Sequence, residues 1–257
     1  MSRKKIARLI IWLTVIIMTS TGLFAQRSLQ DKTSGWSAGL MTGFFGRGLK
    51  CGSRTITMNT PAGLLLAKGQ NLGGTVDLSF FAGYGHSGLN GILFDQLPIS
   101  LDYQAGGIGG LLLGVKADWP IYSFGAYTVG LTAEGMTFLG QKKNFTLEGF
   151  AEPGKATIQP NWSQASSGLF LLYDGLEKIQ PFLIAGTSFL WGTFKATETI
   201  SDLTGAQGQK LKASGLLMLT AGGNFKLAEN FLLVPLLTVY PASKTALSAG
   251  LSLLYSF

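Results

Sequence analysis

ALSAGLSLLYSF, residues Ala246 to Phe257, closes the sequence and decides how the rest of it is read. Every second residue back from the end is apolar: Phe257, Tyr255, Leu253, Leu251, Ala249 and Leu247. Between them stand Ser256, Leu254, Ser252, Gly250, Ser248 and Ala246, which are mostly small or polar. A period of two belongs to a β-strand, whose successive side chains point to opposite faces. One greasy face, one small polar face and aromatic rings at the tip fit a wall between lipid and a polar lumen.

The other end of the chain has the grammar of a secretory signal. Arg3, Lys4, Lys5 and Arg8 precede an apolar run from Leu9 to Met18, and a region of small residues ends at Ala25. Cleavage is expected after Ala25, giving a signal peptide over residues 1–25 and a barrel domain over 26–257. The apolar run falls short of the ~20 residues a membrane helix needs. Those four cations account for much of the basic balance. Without them, sixteen basic residues face thirteen acidic ones. So mild an excess, with no cluster of Lys and Arg forming a stripe, gives no reason to expect a nucleic-acid partner.

Composition points the same way. Mean hydropathy is +0.31 and 13% of residues are charged, against about a quarter in soluble proteins. Yet nothing after Met18 is long and apolar enough for a spanning helix; Phe231 to Val239 is short and contains Pro235. An exported apolar chain without apolar helices satisfies its backbone in lipid by closing a barrel. Cys51 is the single cysteine, so no internal disulfide forms.

Alternation predicts ten strands: 36–47, 54–66, 75–84, 103–117, 123–138, 165–173, 180–195, 212–226, 231–240 and 246–257, with eight as the alternative count. The second contains Pro61, which cannot donate to a ladder without a free edge. Short turns are expected at 68–73, 118–122, 174–178 and 227–230. Longer loops are expected at 47–53, 85–102, 139–164 and 196–211, the third with a hairpin extension around Phe145 and Leu147. Short turns on one side and long loops on the other are the habit of a transmembrane antiparallel up-and-down β-barrel, an all-β fold.

Aromatic residues gather near the short turns, including Trp36, Trp119, Tyr122, Tyr173, Phe182, Phe225 and Phe231. A second group, Phe44, Tyr84, Tyr103, Phe138, Trp191 and Tyr240, lies toward the loops. Two belts of such rings mark two membrane interfaces. A soluble β-sandwich or lipocalin-like barrel would place them in its core instead, but outward faces this apolar would aggregate in water.

The terminal strand with Tyr255 and Phe257 resembles the carboxy-terminal assembly signal of bacterial outer-membrane barrels, although Ser252 stands where that signal usually carries Gly. IQPFLIAGTSFL, Ile179 to Leu190, resembles a segment of small barrels of the outer membrane protein W type. The resemblance implies an outer-membrane location, contact with outer-membrane lipid and with the barrel-assembly machinery during biogenesis, and a monomer.

Barrel enzymes make it necessary to look for catalytic groups. His86 is the only histidine, and Ser87 follows it directly. On a strand the two would point to opposite faces, which separates a base from its nucleophile. Scattered acids (Asp95, Asp102, Glu148, Glu152, Asp202) converge on nothing in sequence, and one His with one Cys makes no metal cluster. No cofactor is expected. Asp77, Lys116 and Glu134 are charges on inward faces, and Asp77 is placed to pair with Lys116 across neighbouring strands. The expectation is a lumen plugged by such pairs and by hydroxyls. The expected role is a structural or surface-interaction barrel that works through its outer loops without catalysis. The alternatives are a small porin or carrier for small or apolar solutes, and a lipid-modifying enzyme centred on His86.

Overall fold

A computed structural model describes residues 35–52, 54–73, 75–104, 106–147, 154–242 and 244–257. The expected signal peptide lies outside the described residues. Among those described, the strands are β1 (Gly35–Cys51), β2 (Arg54–Leu72), β3 (Val76–Gly88), β4 (Ile92–Phe94), β5 (Leu101–Tyr103), β6 (Gly107–Phe124) and β7 (Tyr127–Gly140). They continue as β8 (Lys143–Leu147), β9 (Gly154–Tyr173), β10 (Ile179–Ile200), β11 (Leu203–Ala213), β12 (Leu217–Ala228), β13 (Phe231–Tyr240) and β14 (Ala246–Ser256).

Ten of these strands close a ring of antiparallel neighbours, β1-β2-β3-β6-β7-β9-β10-β12-β13-β14, and β14 returns to β1. Ten is therefore the strand count, not eight. Closure answers the problem that one-sided strands pose. Every wall strand finds a partner on both sides, so no long edge is left to face an apolar solvent.

The faces follow the alternation. Leu251, Leu253 and Tyr255 lie on the outside, while Ser248, Ser252 and Leu254 are buried inside. Leu111 and Leu113 are exposed and Leu112 is wholly buried. Exposed Leu40, Leu65, Phe80, Leu169, Leu183, Leu219 and Leu237 continue the greasy skin around the ring. Inside, side chains are matched in size. The ring of Phe81 fills the space that a Cβ on Gly114 would take.

Several strands run further than the sequence predicts. Pro120 does not end β6. The register with β7 shifts between Pro120 and Tyr122, and the chain turns only at Gly125, whose φ of 56° suits glycine. β3 begins at Val76 and pairs only as far as Asp118 on β6. Pro120 lies opposite Gly130 on β7, beside that register shift, the kind of irregularity where a strand accommodates proline. Pro61 lies within β2; pairing with β3 is recorded at Asn59 and Ala62 but skips the two residues between. The expected loop 196–211 is a tall hairpin in which β10 pairs with β11 from Trp191 to Leu203. The hairpin extension expected near Phe145 is β8, paired with β9.

Candidate functional site

The ends of the barrel differ, and the difference is one of side-chain chemistry. At the end that carries the short turns and both ends of the barrel wall, the inner wall is charged. Lys68 pairs with Asp77 at 3.0 Å and Lys116 with Asp118 at 2.9 Å. All four side chains keep between 21% and 30% of their surface exposed, so water reaches them inside the barrel. Asp77 also accepts from the Asn71 amide, and Thr132 donates to Asp118. The expected Asp77–Lys116 pair is replaced by these two. The sequence places Lys68 and Asp118 in turns, whereas both lie on strands, and that hides them as partners. Glu134 stands directly across from Lys116 on β7, on the same face.

Toward the loop end the interior turns apolar. Leu64, Phe81, Leu112, Met136, Phe138, Trp162, Leu190 and Phe194 form one buried cluster from the inner wall. The segment between β3 and β6 folds into the mouth and joins it. Leu89, Ile92, Phe94, Leu97 and Tyr103 from that segment are all buried. Tyr103 meets Phe194 edge-on at 5.1 Å, and Phe94 packs on the same ring at 5.5 Å. The β4–β5 hairpin within the segment sets its shape.

Polar clamps fix where this plug sits. Gln207 on β11 donates to Asp95 and accepts from the Gln96 amide, and Gln209 donates to the Leu93 carbonyl. Glu198, almost fully buried, accepts from the Ile99 amide. Each fully buried large apolar side chain contributes about 1.5–3 kcal/mol, and each hydrogen bond a net ~0.5–1.5. Burial therefore decides that the segment enters the mouth, and the amides set its register. Beside it lies a polar cleft of about 440 Å³ lined by Cys51, Arg54, Asp95, Gln96 and Gln207. Burial raises the Cys51 thiol above its ordinary pKa and keeps it protonated.

Arg47 and Tyr240 meet inside the wall. The guanidinium lies over the Tyr240 ring at 3.8 Å and donates to the Ser188 carbonyl at 3.1 Å. Tyr240 therefore does not belong to an interface belt. It follows inward-facing Thr238 on β13 and has 6% of its surface exposed. Phe138 and Tyr103 are likewise interior. For Phe138 and Tyr240 strict alternation along the strand carried that signal, whereas Tyr103 belongs to the β4–β5 hairpin and not to the wall. Trp36, Trp119, Tyr122 and Trp191 are exposed on the outer surface. Tyr173 packs against exposed Tyr127 at 4.9 Å, and Tyr255 lies between Phe231 and Phe257.

His86 and Ser87 point apart. His86 is exposed and rests edge-on against Tyr84 at 5.4 Å on the outer wall. Ser87 is buried, where its Oγ accepts from Trp162 Nε1 at 3.1 Å and from the Thr60 hydroxyl at 3.3 Å. The geometry gives His86 no proton to take from Ser87. No group of His, Cys, Asp and Glu able to hold a metal is found among the described residues.

No protein-family model matches this sequence, and neither does any curated protein. Solved structures do share its fold. The translocator domain of the autotransporter NalP from Neisseria meningitidis aligns with a TM-score of 0.50 at 10% identity, covering 99% of this chain and 98% of that one. The outer membrane protease OmpT from Escherichia coli aligns at 0.44 with 9% identity over 91% and 99% of the two chains. Ail, the attachment invasion locus protein of Yersinia pestis, aligns at 0.33 with 11% identity over 87% and 97%. At 10% identity the likeness to the NalP domain is one of fold, and it agrees with the closed antiparallel ring: the chain has the architecture of a bacterial outer-membrane β-barrel.

Proposed function

We propose that this chain is exported, inserts as a monomer into an outer membrane, and serves as a closed, non-catalytic barrel that makes contacts through its outer hairpins. The observation that carries this reading is the apolar plug. A path for ions or polar solutes would have to cross Phe94, Tyr103, Phe138, Trp162 and Phe194, all with at most 2% of their surface exposed. Opening such a path means pulling several large apolar side chains into water, at about 1.5–3 kcal/mol each. The same residues weigh against a small porin or carrier, and the divergence of His86 from Ser87 weighs against a lipid-modifying enzyme. The hairpins β1–β2, β8–β9 and β10–β11, with the cleft that the β1–β2 turn, the plug and β11 enclose, supply the contact surface. Planar-bilayer recording of the purified protein tests the reading. A silent bilayer is the expected result, and steady conducting steps at moderate voltage would sink it.

A further inference from the structure

We propose that the outer wall carries a binding site for the phosphate groups of outer-leaflet lipid headgroups, built by Lys50, Lys195, Lys210 and Lys212. The inference rests on the reading of the chain as an outer-membrane barrel and adds to it a specific lipid contact.

The register assembles the four lysines from three strands. Lys50 on β1 and Lys212 on β11 are direct cross-strand partners. Lys210 lies two residues from Lys212 on the same face, opposite Thr193. Lys195 stands opposite Gly208, diagonally beside Lys210. All four are exposed. Like charges placed directly across a strand pair repel, and nothing on this face relieves them. None of the ion pairs found among the described residues involves these lysines. β1, β10 and β11 together carry a single carboxylate, Glu198. It is buried inside the wall and accepts from the Ile99 amide. The face is an uncompensated cationic patch.

Its height identifies the partner. Trp191 is directly opposite Lys212 and 52% exposed, on the outer surface above the leucine skin of β10. An indole in that position marks the boundary between hydrocarbon and headgroup. Lys210 and Lys195 lie further toward the loop end, one step into the headgroup layer. Lysine side chains are long enough to bend their ammonium groups toward that layer while their methylenes stay on the wall. Phosphate oxygens accept charge-assisted hydrogen bonds from ammonium groups. Such an anion turns the Lys50–Lys212 repulsion into two attractions.

The test uses the full chain, folded in neutral detergent, and lipid A as the probe, carrying both phosphates or neither. Retained lipid is counted by native mass spectrometry for the wild type and for the variant Lys50→Gln, Lys195→Gln, Lys210→Gln, Lys212→Gln. Retention of phosphorylated lipid is expected to fall by at least about tenfold in the variant. The wild type is expected to hold the phosphate-free lipid as weakly as the variant holds the phosphorylated one. A matching four-arginine variant is expected to retain the lipid. Equal retention by the wild type and the glutamine variant, or of the two lipids by the wild type, overturns the site. Displacement of the lipid by micromolar inorganic phosphate reassigns the patch to a soluble anion and overturns the lipid proposal. Both proteins are first checked for a heat-dependent shift on unboiled gels. A wild type without that shift overturns the barrel reading and the site with it, whereas shifting proteins that fail the lipid comparison overturn the site alone.

Discussion

Ser87 and His86 are chain neighbours with opposite duties. Ser87 Oγ is the acceptor for two buried donors, Trp162 Nε1 and the Thr60 hydroxyl. Substituting Ser87→Ala leaves both donors in an apolar interior, and an orphaned buried polar group costs about 1–3 kcal/mol. Urea unfolding in lipid vesicles is expected to show a loss within that range. His86→Ala, on the exposed face, is expected to change stability by no more than about 0.5 kcal/mol. A larger loss for His86→Ala than for Ser87→Ala would mean that the inside and outside faces of β3 are exchanged. The sequence places both residues in a loop and shows only that on a strand they would point apart. The identity of the partners of Ser87 was not legible there, since Trp162 lies on β9 and arrives only through the ring.

The plug decides behaviour at the scale of elements. The sequence predicts a loop over 85–102 and a strand starting at Tyr103, whereas β3 runs on to Gly88 and the wall resumes at Gly107, and nothing local shows that the apolar residues between them turn inward. What draws Leu89, Ile92, Phe94, Leu97 and Tyr103 into the mouth is the apolar inner wall formed by β6, β7, β9 and β10. Replacing residues 91–105 by a short flexible linker is expected to leave the barrel closed as a wall but open as a passage. Bilayers silent with the intact chain should then show conducting steps, while the heat-dependent gel shift persists. A silent bilayer with the shortened chain would place the seal in the wall residues themselves. The tall β10–β11 hairpin was also missed. Its outward residues are Thr, Lys, Gly and Ala rather than large apolar groups, which is how a strand standing in water reads.

For the whole molecule, the consequence of ring closure is cooperativity. Removing one wall strand exposes unpaired backbone on both of its neighbours, and in lipid each unsatisfied group costs several kcal/mol. The folded barrel is therefore expected to resist SDS at room temperature and to migrate differently after boiling. Identical migration, or a helical circular dichroism spectrum, would contradict the ring. The charged inner wall at the turn end and the plug at the loop end both depend on that ring, since neither β1 nor β6 can enclose anything alone.

Residue order alone pointed to ten strands with eight left open, and it determined the two faces of most strands and the outward skin of leucines. Each of these follows from a repeat of two that a short window of chain already displays. The tertiary structure alone decided which inward and outward groups meet. Lys68 found Asp77, Arg47 found Tyr240, and Lys50 found Lys212 because ring closure and register place distant strands side by side. Register is a long-range property, set when the last strand returns to the first, and no single stretch of sequence carries it.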